Sequence, residues 1–498
     1  MVITVIESVR RLAQVDPGRI AVATPVGTVD YGQLHRFAAA HADTLKSADG
    51  ADGAVAVVCG AGDGGIPLIL GAMIAGRPVV LLPNSATPAA RAAAQRQTGF
   101  SLVASPGAGP EQARMERAEV EPDSPPPAAS LVFCTSGSTG NPKLVPLRED
   151  AIARFAAWAA ERFMIGAGSR VLSYAPLNFD LSLLEVWTTL AYGGTVVAAT
   201  GPALRDSRHL AALVRTWEPD LVEGVPVLYE RLARGLAESG DLEALSAGHV
   251  IMTGDNTPLP TRRVIRQMFP AASYYNIYGS TETNDSLIAR LDYDEVVAER
   301  IPLGEPLPGV DVRLIDEGGT ELRGPGSGEL VVTTPFQAEG YLGTVGSGSF
   351  VQASPGWPGD IYFRTGDMVE RRPDGALRFL GRRDFRIKVN GVSVDLEDVE
   401  DVISVLDGVT EAVTAPWTAP SGETRVAALI RTAPEQNLSA VQVRKFCARR
   451  VESAAVPFRI SFVTDPLPRT STGKVDRKMA ARLLNDPAAG RAGRRLDG

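Results

Sequence analysis

Short apolar runs alternate with segments of helical periodicity from the N-terminus to about residue 300. Continuous apolar runs are typical of strands that are covered on both faces. We expect such strands at 54–58, 78–82, 170–175, 195–199, 221–224, 249–252 and 273–277. We expect helices between or after them at 65–75, 151–163, 228–237 and 260–268. This alternation predicts parallel sheets with helices on both faces.

The pattern changes after about residue 300. Strands are expected at 312–315, 328–333, 360–363, 368–371 and 376–379, separated by polar turns rich in glycine. Such a pattern predicts a mostly antiparallel β subdomain. From the charged, hinge-like segment Gly381-Arg382-Arg383-Asp384 onward, the pattern is α+β again. We therefore predict an α/β fold with a large domain at 1–383, including a β subdomain at about 300–380, and a small domain at 384–498 with a mobile tail.

Composition narrows the possible partners. The chain has 498 residues, 44% hydrophobic, which is enough for a sizeable core in more than one domain. The formal net charge of −8 argues against nucleic acid as the main partner. Neither a signal-peptide pattern nor a long unbroken apolar segment is present, which predicts a cytoplasmic protein without a membrane partner. The three cysteines and four histidines show no metal-ligand spacing.

The most informative segment is 131–147, where an apolar strand ends in a loop of small hydroxylated residues and glycines, followed by Lys143. Glycines let backbone amides surround an anion, hydroxyls add donors, and the lysine adds a positive charge. The loop lacks the Gly-Lys-Ser/Thr ending of a Walker A loop. It predicts a phosphate site, with a flexible surface loop as the alternative. The loop residues are Thr135, Ser136, Gly137, Ser138, Thr139 and Gly140.

Further segments follow this loop in a fixed order. They lie at 276–283, 328–341, 363–367, 381–400 and 470–477. Together with the loop they resemble the AMP-forming adenylating superfamily, which includes acyl-CoA synthetases, luciferases and adenylation domains of nonribosomal peptide synthetases. The resemblance covers about 28–477. It implies a large domain of two parallel-rich αβ sheets and a β-barrel, a small C-terminal lid, and an enzyme that first makes an acyl-AMP from ATP and then passes the acyl group to a thiol.

The resemblance also implies roles for residues around the nucleotide. The loop and Lys143 would hold the β- and γ-phosphates of ATP, and Glu282 would be the Mg²⁺ ligand. Thr281 would contact the α-phosphate. The other implied nucleotide contacts are Asp367 and Arg382 at the ribose, Tyr278 on the adenine, and Asn276 and Gly279 in the same segment.

The resemblance implies that two residues of the C-terminal part take part in a movement of the lid. Lys474 resembles the catalytic lysine, which bridges the substrate carboxylate and the nucleotide during adenylation. Asp384 resembles the hinge about which the lid rotates, replacing Lys474 by the loop at 388–391 for the thioester step. Ser393 stands where relatives often have an arginine, so a phosphate contact from that position is not implied. Taken singly, Glu282, Asp367 and Lys474 could instead be a turn acid, a turn cap and a surface lysine.

The segment Asn178-Phe179-Asp180-Leu181-Ser182 resembles that of amino-acid-activating domains, in which the aspartate pairs with the substrate α-ammonium. The alternative for Asp180 is a helix N-cap. By the same resemblance, the side-chain pocket would contain Leu181, Leu184, Glu223, Ile251, Thr253, Ile277, Asp285 and Ser286. Glu223 and Asp285 suggest a substrate with a second cationic group, such as ornithine, lysine or a diamino acid. A β-amino acid stays open, as does the alternative that both acids face solvent.

The partner of the second step also follows from the resemblance. Because the sequence shows neither a carrier segment after Lys474 nor a condensation segment before the fold, we expect a stand-alone enzyme that loads the phosphopantetheine thiol of a carrier protein supplied in trans. One alternative is an acyl- or aryl-CoA ligase that uses free CoA. A second is a non-catalytic nucleotide-binding module that retains the fold.

Overall fold

The computed structural model describes residues 3–497 with short gaps. The residues outside the description are 1–2, 49–52, 61–63, 108, 119–125, 136–141, 241–242, 299, 317, 344–347, 390–391, 419–423, 434–435, 437, 452, 471–472, 486–494 and 498.

The four helices predicted from the sequence are present to within a few residues, and the structure has further helices that were not predicted. The helices are α1 (Val5–Val15), α2 (Tyr31–Ser47), α3 (Gly65–Ile74), α4 (Pro88–Thr98), α5 (Glu149–Phe163), α6 (Thr189–Ala191), α7 (Pro202–Arg205), α8 (Ser207–Trp217), α9 (Pro226–Ser239), α10 (Leu259–Met268), α11 (Leu396–Ser404), α12 (Ala440–Cys447) and α13 (Arg477–Asn485). A π-helical turn, Leu183–Thr188, precedes α6 directly.

The strands are numbered in chain order. They are β1 (Ile20–Thr24), β2 (Gly27–Asp30), β3 (Val55–Cys59), β4 (Val79–Pro83), β5 (Leu102–Pro106), β6 (Ala113–Arg117), β7 (Leu131–Thr135), β8 (Lys143–Leu147), β9 (Arg170–Ser173), β10 (Thr195–Ala198), β11 (Leu221–Gly224), β12 (His249–Thr253), β13 (Ser273–Ser280), β14 (Asn284–Leu291), β15 (Glu305–Pro306), β16 (Asp311–Ile315), β17 (Gly326–Thr333), β18 (Phe350–Gln352), β19 (Ile361–Arg371), β20 (Leu377–Arg382), β21 (Arg386–Val389), β22 (Val392–Asp395), β23 (Val409–Thr418), β24 (Thr424–Thr432), β25 (Arg459–Val463) and β26 (Arg495–Asp497).

Two large sheets contain the predicted parallel strands. The first has the order β15-β14-β13-β12-β11-β9-β10-β1-β2, and its strands from β13 to β1 are parallel. The second has the order β6-β5-β3-β4-β7-β8, with β5 to β7 parallel. The outer strands of both sheets pair antiparallel. The α/β alternation read from the sequence is therefore confirmed.

The largest hydrophobic cluster joins the two sheets. It contains side chains of β3, β4 and β7 from one sheet, of β9, β10 and β12 from the other, and of α2, α3, α5 and the π-helical turn. Helix α3 packs closely against α2, because a Cβ atom at Gly71 would lie 2.7 Å from the carbonyl oxygen of Ala38. Trp187 of the π-helical turn is buried in this cluster, so the segment after Asp180 is held firmly by the core.

The antiparallel subdomain after residue 300 is also present, with the strand order β16-β17-β19-β18 and with β20 on β19. The sequence predicted two strands at 360–363 and 368–371, and this was wrong. They form the single strand β19, whose pairing register shifts between Met368 and Val369. Gly366 has φ +73°, a left-handed conformation that glycine adopts without strain, so the chain bends there without ending the strand.

The C-terminal part forms a smaller α+β unit with its own core. Its four-stranded sheet has the order β23-β24-β25-β26, and the hairpin β21–β22 and helices α11 to α13 complete it. It lies across a cleft of about 700 Å³ from the larger part, where Asp398 pairs with Arg300 at 2.8 Å and Asp401 accepts a 2.8 Å hydrogen bond from Asn256. The exact boundary between the two units at 383 and 384 stays a prediction.

None of the helices in the described part of the chain combines the length and the apolar character that a membrane crossing requires.

Candidate active site

The residues singled out from the sequence meet at the carboxyl ends of the parallel strands of the nine-stranded sheet. Glu223 lies near the end of β11, Thr253 ends β12, and Ile277 lies in the second half of β13. Ligand sites in open α/β sheets occupy this edge, because helix starts and loops surround it. The sheet order therefore brings together residues that are far apart in the chain.

The turn between β13 and β14 is shaped by one glycine. Gly279 pairs with Asp285, and a Cβ atom at Gly279 would lie 2.4 Å from the carbonyl oxygen of Asn284, so no other residue fits. This tight turn carries Thr281 and Glu282 toward the site. Asn276, three residues before Gly279 on β13, donates a hydrogen bond of 2.8 Å to the carbonyl oxygen of Pro302.

Asp367 is fixed by donors on both oxygens. The hydroxyl of Tyr278 donates to Oδ2, and Nη1 of Arg382 lies 3.1 Å from Oδ1. The strand register places Asp367 directly opposite Arg382. Burial raises the pKa of Asp367, and the charge of Arg382 and the Tyr278 hydrogen bond oppose that rise. The sequence placed Tyr278 against the adenine; the structure shows its hydroxyl on Asp367, and the adenine contact stays a prediction.

Glu282 and the phosphate-loop lysine both lie next to Tyr341, a residue to which the sequence assigned no role. The hydroxyl of Tyr341 donates to Oε1 of Glu282 at 2.5 Å, and Nζ of Lys143 lies 5.1 Å from the centre of the Tyr341 ring. Thr135 pairs with Lys143 across β7 and β8, so the two ends of the loop adjoin. The loop residues Ser136, Gly137, Ser138, Thr139 and Gly140 lie outside the described residues.

The carboxylate of Glu282 fits a Mg²⁺ ligand of one particular kind. Among the residues that the structure describes, no group of three or more histidines, cysteines, aspartates and glutamates could hold a metal ion on its own. Mg²⁺ is commonly held by one or two carboxylates together with substrate phosphates. A single buried glutamate beside a lysine matches that second arrangement.

Lys474 reaches the site from the C-terminal unit. Its Nζ lies 5.5 Å from the centre of the Phe179 ring, and its charge lowers the pKa of both Asp180 and Asp367. The turn before it is tight, since the amide of Thr470 donates to the carbonyl oxygen of Lys474 at 2.8 Å. The lysine is therefore near enough to act electrostatically on both aspartates that the sequence assigned to substrate and ribose.

Asp180 does not cap the helical turn that follows it. The amides of Ser182 and Leu183 donate to the backbone oxygens of Phe179 and Asp180 instead. The carboxylate of Asp180 is hydrogen bonded to Thr281, and its Oδ1 is buried without a partner among the described residues. Burial raises the pKa of Asp180, against the effects of the Thr281 hydrogen bond and the Lys474 charge.

The remaining predicted pocket residues form largely apolar walls. Leu184, Ile251 and Ile277 belong to the buried core, and Leu181 packs against a small cluster with Phe179. Thr253 and Ser286 are buried, and the hydroxyl of Ser286 donates to Oγ1 of Thr283. These walls leave few polar atoms to accompany the two acids.

Both pocket acids are buried, which excludes the solvent-facing alternative. Glu223 is 2% exposed and Asp285 is 9% exposed. Burial, together with the charge of Asp180, raises the pKa of Asp285 to about 8. Burial and the charges of Asp285, Glu185 and Asp180 raise the pKa of Glu223 well above its ordinary value. Oε2 of Glu223 has no hydrogen-bond partner in the described part of the chain.

A third acid, Glu185, lies beside them and was missed as a site residue. It is fully buried on the π-helical turn, and its Oε2 accepts the amides of Tyr174 and Ala175, each at 3.1 Å. Burial raises its pKa to about 8. The available signal was a lone glutamate within the otherwise uncharged segment Leu183–Thr188.

The hinge and its exchange loop can be placed only by their backbone. Asp384 lies in a short 3₁₀ turn, Arg383–Phe385, between β20 and β21. Residues 390 and 391 and the side chains of Asp384, Lys388 and Ser393 are outside the description. The hinge role of Asp384 stays a prediction.

Comparisons with known proteins point to one family. Residues 104–342 match the AMP-binding enzyme family. An L-proline–[L-prolyl-carrier protein] ligase of Streptomyces coelicolor is 29% identical over 76% of this chain and 71% of its own length. A ligase of the same name from Pseudomonas fluorescens is 30% identical over 71% of this chain and 68% of its own length.

A solved structure shows the same fold over nearly the whole chain. The anthranilate CoA ligase AuaEII in complex with anthranoyl-AMP has a TM-score of 0.80 at 18% identity, covering 98% of this chain and 99% of that one. The predicted α/β fold with a smaller C-terminal unit is thereby confirmed.

The raised pKa of Asp285 predicts how stability changes with pH. In the unfolded chain this carboxyl loses its proton near pH 4, whereas in the folded protein it keeps the proton up to about pH 8. Its contribution to stability is therefore complete below about pH 4 and is lost as pH rises through about 8. Asp285→Asn, which stays neutral, should lose less unfolding free energy than the unsubstituted protein between pH 5 and 9, by up to about 1.4 kcal/mol per pH unit.

Urea unfolding across this pH range, without ligands, measures the difference. Asp43→Asn on the exposed side of α2 is the matched control and should follow the unsubstituted protein. Parallel pH profiles for Asp285→Asn and the unsubstituted protein would show that Asp285 is ionised in the folded state at neutral pH.

Proposed function

We propose that this chain, which belongs to the AMP-forming adenylating superfamily, activates an amino acid as its aminoacyl-AMP and transfers it to the phosphopantetheine thiol of a carrier protein. The chain is an AMP-forming ligase. The relatives described above join proline to carrier proteins, which supports an amino-acid substrate and a carrier partner. The observation that carries the proposal is the half-buried carboxylate of Asp180, whose buried Oδ1 has no hydrogen-bond partner among the described residues and which lies near the charge of Lys474.

ATP would lie along the edge of the nine-stranded sheet. Lys143 and the loop at 135–140 would hold the β- and γ-phosphates, and Thr281 would contact the α-phosphate. Asp367, already fixed by Tyr278 and Arg382, would accept hydrogen bonds from the ribose hydroxyls. Glu282 would hold Mg²⁺ together with phosphate oxygens, and the bound ion would neutralise phosphate charge.

The chemistry requires the substrate carboxylate to approach the α-phosphate. An oxygen of the carboxylate forms a bond to the α-phosphorus, the bond to the β-phosphate oxygen breaks, and pyrophosphate leaves. Lys474, whose charge acts on both Asp180 and Asp367, would hold the carboxylate against the nucleotide. Such a positively charged group stabilises the extra negative charge that develops in the transition state.

Asp180 would orient the substrate by its amine. A substrate α-ammonium on the unpaired Oδ1 would gain a charge-assisted hydrogen bond and would offset the burial of the carboxylate. The hydrogen bond to Thr281 ties this amine site to the turn that carries Glu282. The amine of the substrate would thus be held by Asp180 of the larger unit and its carboxylate by Lys474 of the C-terminal unit.

The side-chain pocket favours a substrate with a second cationic group. Glu223 and Asp285 are both buried among apolar walls, and each would need a cation to be ionised there. Lysine, ornithine or another diamino acid supplies such a group, and a β-amino acid with a distal amine would supply it with different spacing. This substrate class is part of the proposal.

The second step would require the C-terminal unit to move. The thiol sulfur would form a bond to the acyl carbon, and AMP would leave. Rotation about Asp384 would withdraw Lys474 and bring in the loop at 388–391. The polar contacts of Asp398 with Arg300 and of Asp401 with Asn256 are ones that such a rotation would break.

A pyrophosphate-exchange panel tests the function directly. Amino acids with basic, neutral and acidic side chains, β-amino acids and simple carboxylic acids would be compared, and we expect kcat/KM for basic or diamino acids to exceed that for apolar ones at least about tenfold. Exchange with only small apolar amino acids would reject the substrate class. Exchange with amine-free acids and transfer to CoA, but not to a phosphopantetheinylated carrier, would favour a CoA ligase. No exchange with any acid would indicate a nucleotide-binding module.

Lys474→Ala should lower the exchange rate by about two orders of magnitude or more, because the variant loses the charge that positions the carboxylate. The fold should be retained, since Lys474 lies in a surface turn and not in either core. Lys478→Ala, on the exposed face of α13, is the matched control and should exchange normally. Near-normal exchange by Lys474→Ala would remove this lysine from the mechanism.

Asp180→Ala should raise the KM for the amino acid about tenfold to a hundredfold, as expected for the loss of a charged hydrogen bond. The KM for ATP should change little. The same acid without its α-amine should be used equally well by the variant and the unsubstituted protein. An unchanged KM for the amino acid would leave Asp180 with a purely structural role.

A further inference from the structure

Three buried carboxyl groups from three different elements meet in the pocket beyond Asp180. Glu185 belongs to the π-helical turn, Glu223 to β11 and Asp285 to β14. We call these three residues the acid cluster. The charges of Asp285, Glu185 and Asp180 all act on Glu223, so three further acids lie within electrostatic range of it.

The acid cluster has no cation of its own in the described part of the chain. No lysine or arginine there forms a salt bridge with any of its three members. Oε1 of Glu185 and Oε2 of Glu223 have no hydrogen-bond partner among those residues. The nearest lysine in the site, Lys474, acts on Asp180 and Asp367.

Neighbouring carboxylates in an apolar pocket cannot all be ionised without a cation, because desolvation and mutual repulsion both favour the protonated form. Burial raises the pKa of Glu185 and of Asp285 to about 8 each. Without substrate, Glu185 and Asp285 are therefore protonated at neutral pH. Because the carboxyl groups interact, each observed titration step is a property of the whole acid cluster and not of a single residue.

One oxygen of Glu185 is fixed and the other is available. Oε2 accepts the amides of Tyr174 and Ala175, which holds the side chain in place. Oε1 has no hydrogen-bond partner within the described part of the chain, and the charge of Glu185 acts on Glu223. A carboxylate that is anchored by one oxygen and unpaired at the other is preorganised to receive a donor.

We propose, on the basis of the function proposed above, that the acid cluster is a proton-exchanging receptor for the distal ammonium group of the substrate, with Glu185 as a further specificity-determining residue. The ammonium group enters, the cluster ionises, and the displaced proton passes to solvent. No covalent bond changes in this exchange. Substrate binding and proton release are thus two parts of one equilibrium.

Other titratable groups lie near the acid cluster and affect the charge in its surroundings. Tyr229 of α9 lies beside Glu223 and Glu185, and burial together with these charges raises its pKa, so it stays neutral. Asp180 adds negative charge at the cluster, while Lys474 and Glu282 act on Asp180 with opposite signs. Because Tyr229 stays neutral, it is the carboxyl groups that exchange protons at neutral pH.

The pH dependence of KM tests the proposal. Lysine and ornithine would be compared with their neutral isosteres norleucine and norvaline in pyrophosphate exchange between pH 6 and 9. The KM of the diamino acids should fall as pH rises, by up to about tenfold per pH unit for each proton displaced, whereas the KM of the isosteres should not. The distal ammonium keeps its own proton over this range, since its ordinary pKa is about 10.4.

A variant isolates the contribution of Glu185. Glu185→Gln keeps an amide oxygen that can accept the amides of Tyr174 and Ala175, so the local fold should be retained. At pH 8.5 its KM for lysine or ornithine should rise at least about tenfold, and the slope of KM with pH should become shallower. The KM for norleucine should change less than the KM for lysine or ornithine. Glu161→Gln, exposed on α5, is the matched control and should show no change.

Calorimetry in two buffers of different ionisation enthalpy provides a second measurement that does not depend on the variant folding. Binding of the preferred diamino acid at pH 7 should release about one proton. A diamino acid that is activated with a pH-independent KM and without proton release would overturn this inference and leave the proposed function intact. Absence of exchange with every amino acid would instead overturn the proposed function itself.

Discussion

A carboxylate that leaves water must gain a cation, strong hydrogen-bond donors or a proton, and this requirement governs the active-site half of the chain. Asp367 receives Arg382 and Tyr278, and Glu282 receives Tyr341. Oε2 of Glu223 has no such partner among the described residues, and the charged groups that act on Glu223 are themselves acids. On the nucleotide side, the chain itself therefore supplies a cation or a hydrogen-bond donor to each acid. On the substrate side, the acids need a proton or a bound cationic ligand as well.

This division gives each side of the site a different physical character. The nucleotide side is preorganised by internal hydrogen bonds, as a phosphate and ribose site needs to be. The acids on the substrate side stay protonated at neutral pH until a cationic ligand binds, so their burial favours a cationic ligand over a neutral one. A neutral side chain of the same size would leave the acids protonated and would gain nothing from them.

The two structural units meet through contacts that are compatible with motion. The pairs Arg300–Asp398 and Asn256–Asp401 are polar and lie beside an open cleft. Partly exposed pairs of this kind contribute only about 0–1 kcal/mol each, far less than a buried apolar interface. Lys474 therefore reaches the pocket from a unit that is positioned by weak, reversible contacts, which agrees with a proposed lid that must withdraw between two chemical steps.

The sequence alone predicted the alternation of strands and helices, the β subdomain and the family, because hydrophobic periodicity and short glycine-rich motifs are local properties. It also named Asp180, Glu223 and Asp285, but not whether the two pocket acids faced solvent or core. Only the tertiary structure decided that, since burial depends on strand order in the nine-stranded sheet. The same holds for Glu185 and Tyr341, which join the site through contacts with residues distant in the chain or on neighbouring elements. Sequence periodicity places a residue on an element, whereas charge and pKa arise from what the fold packs around it.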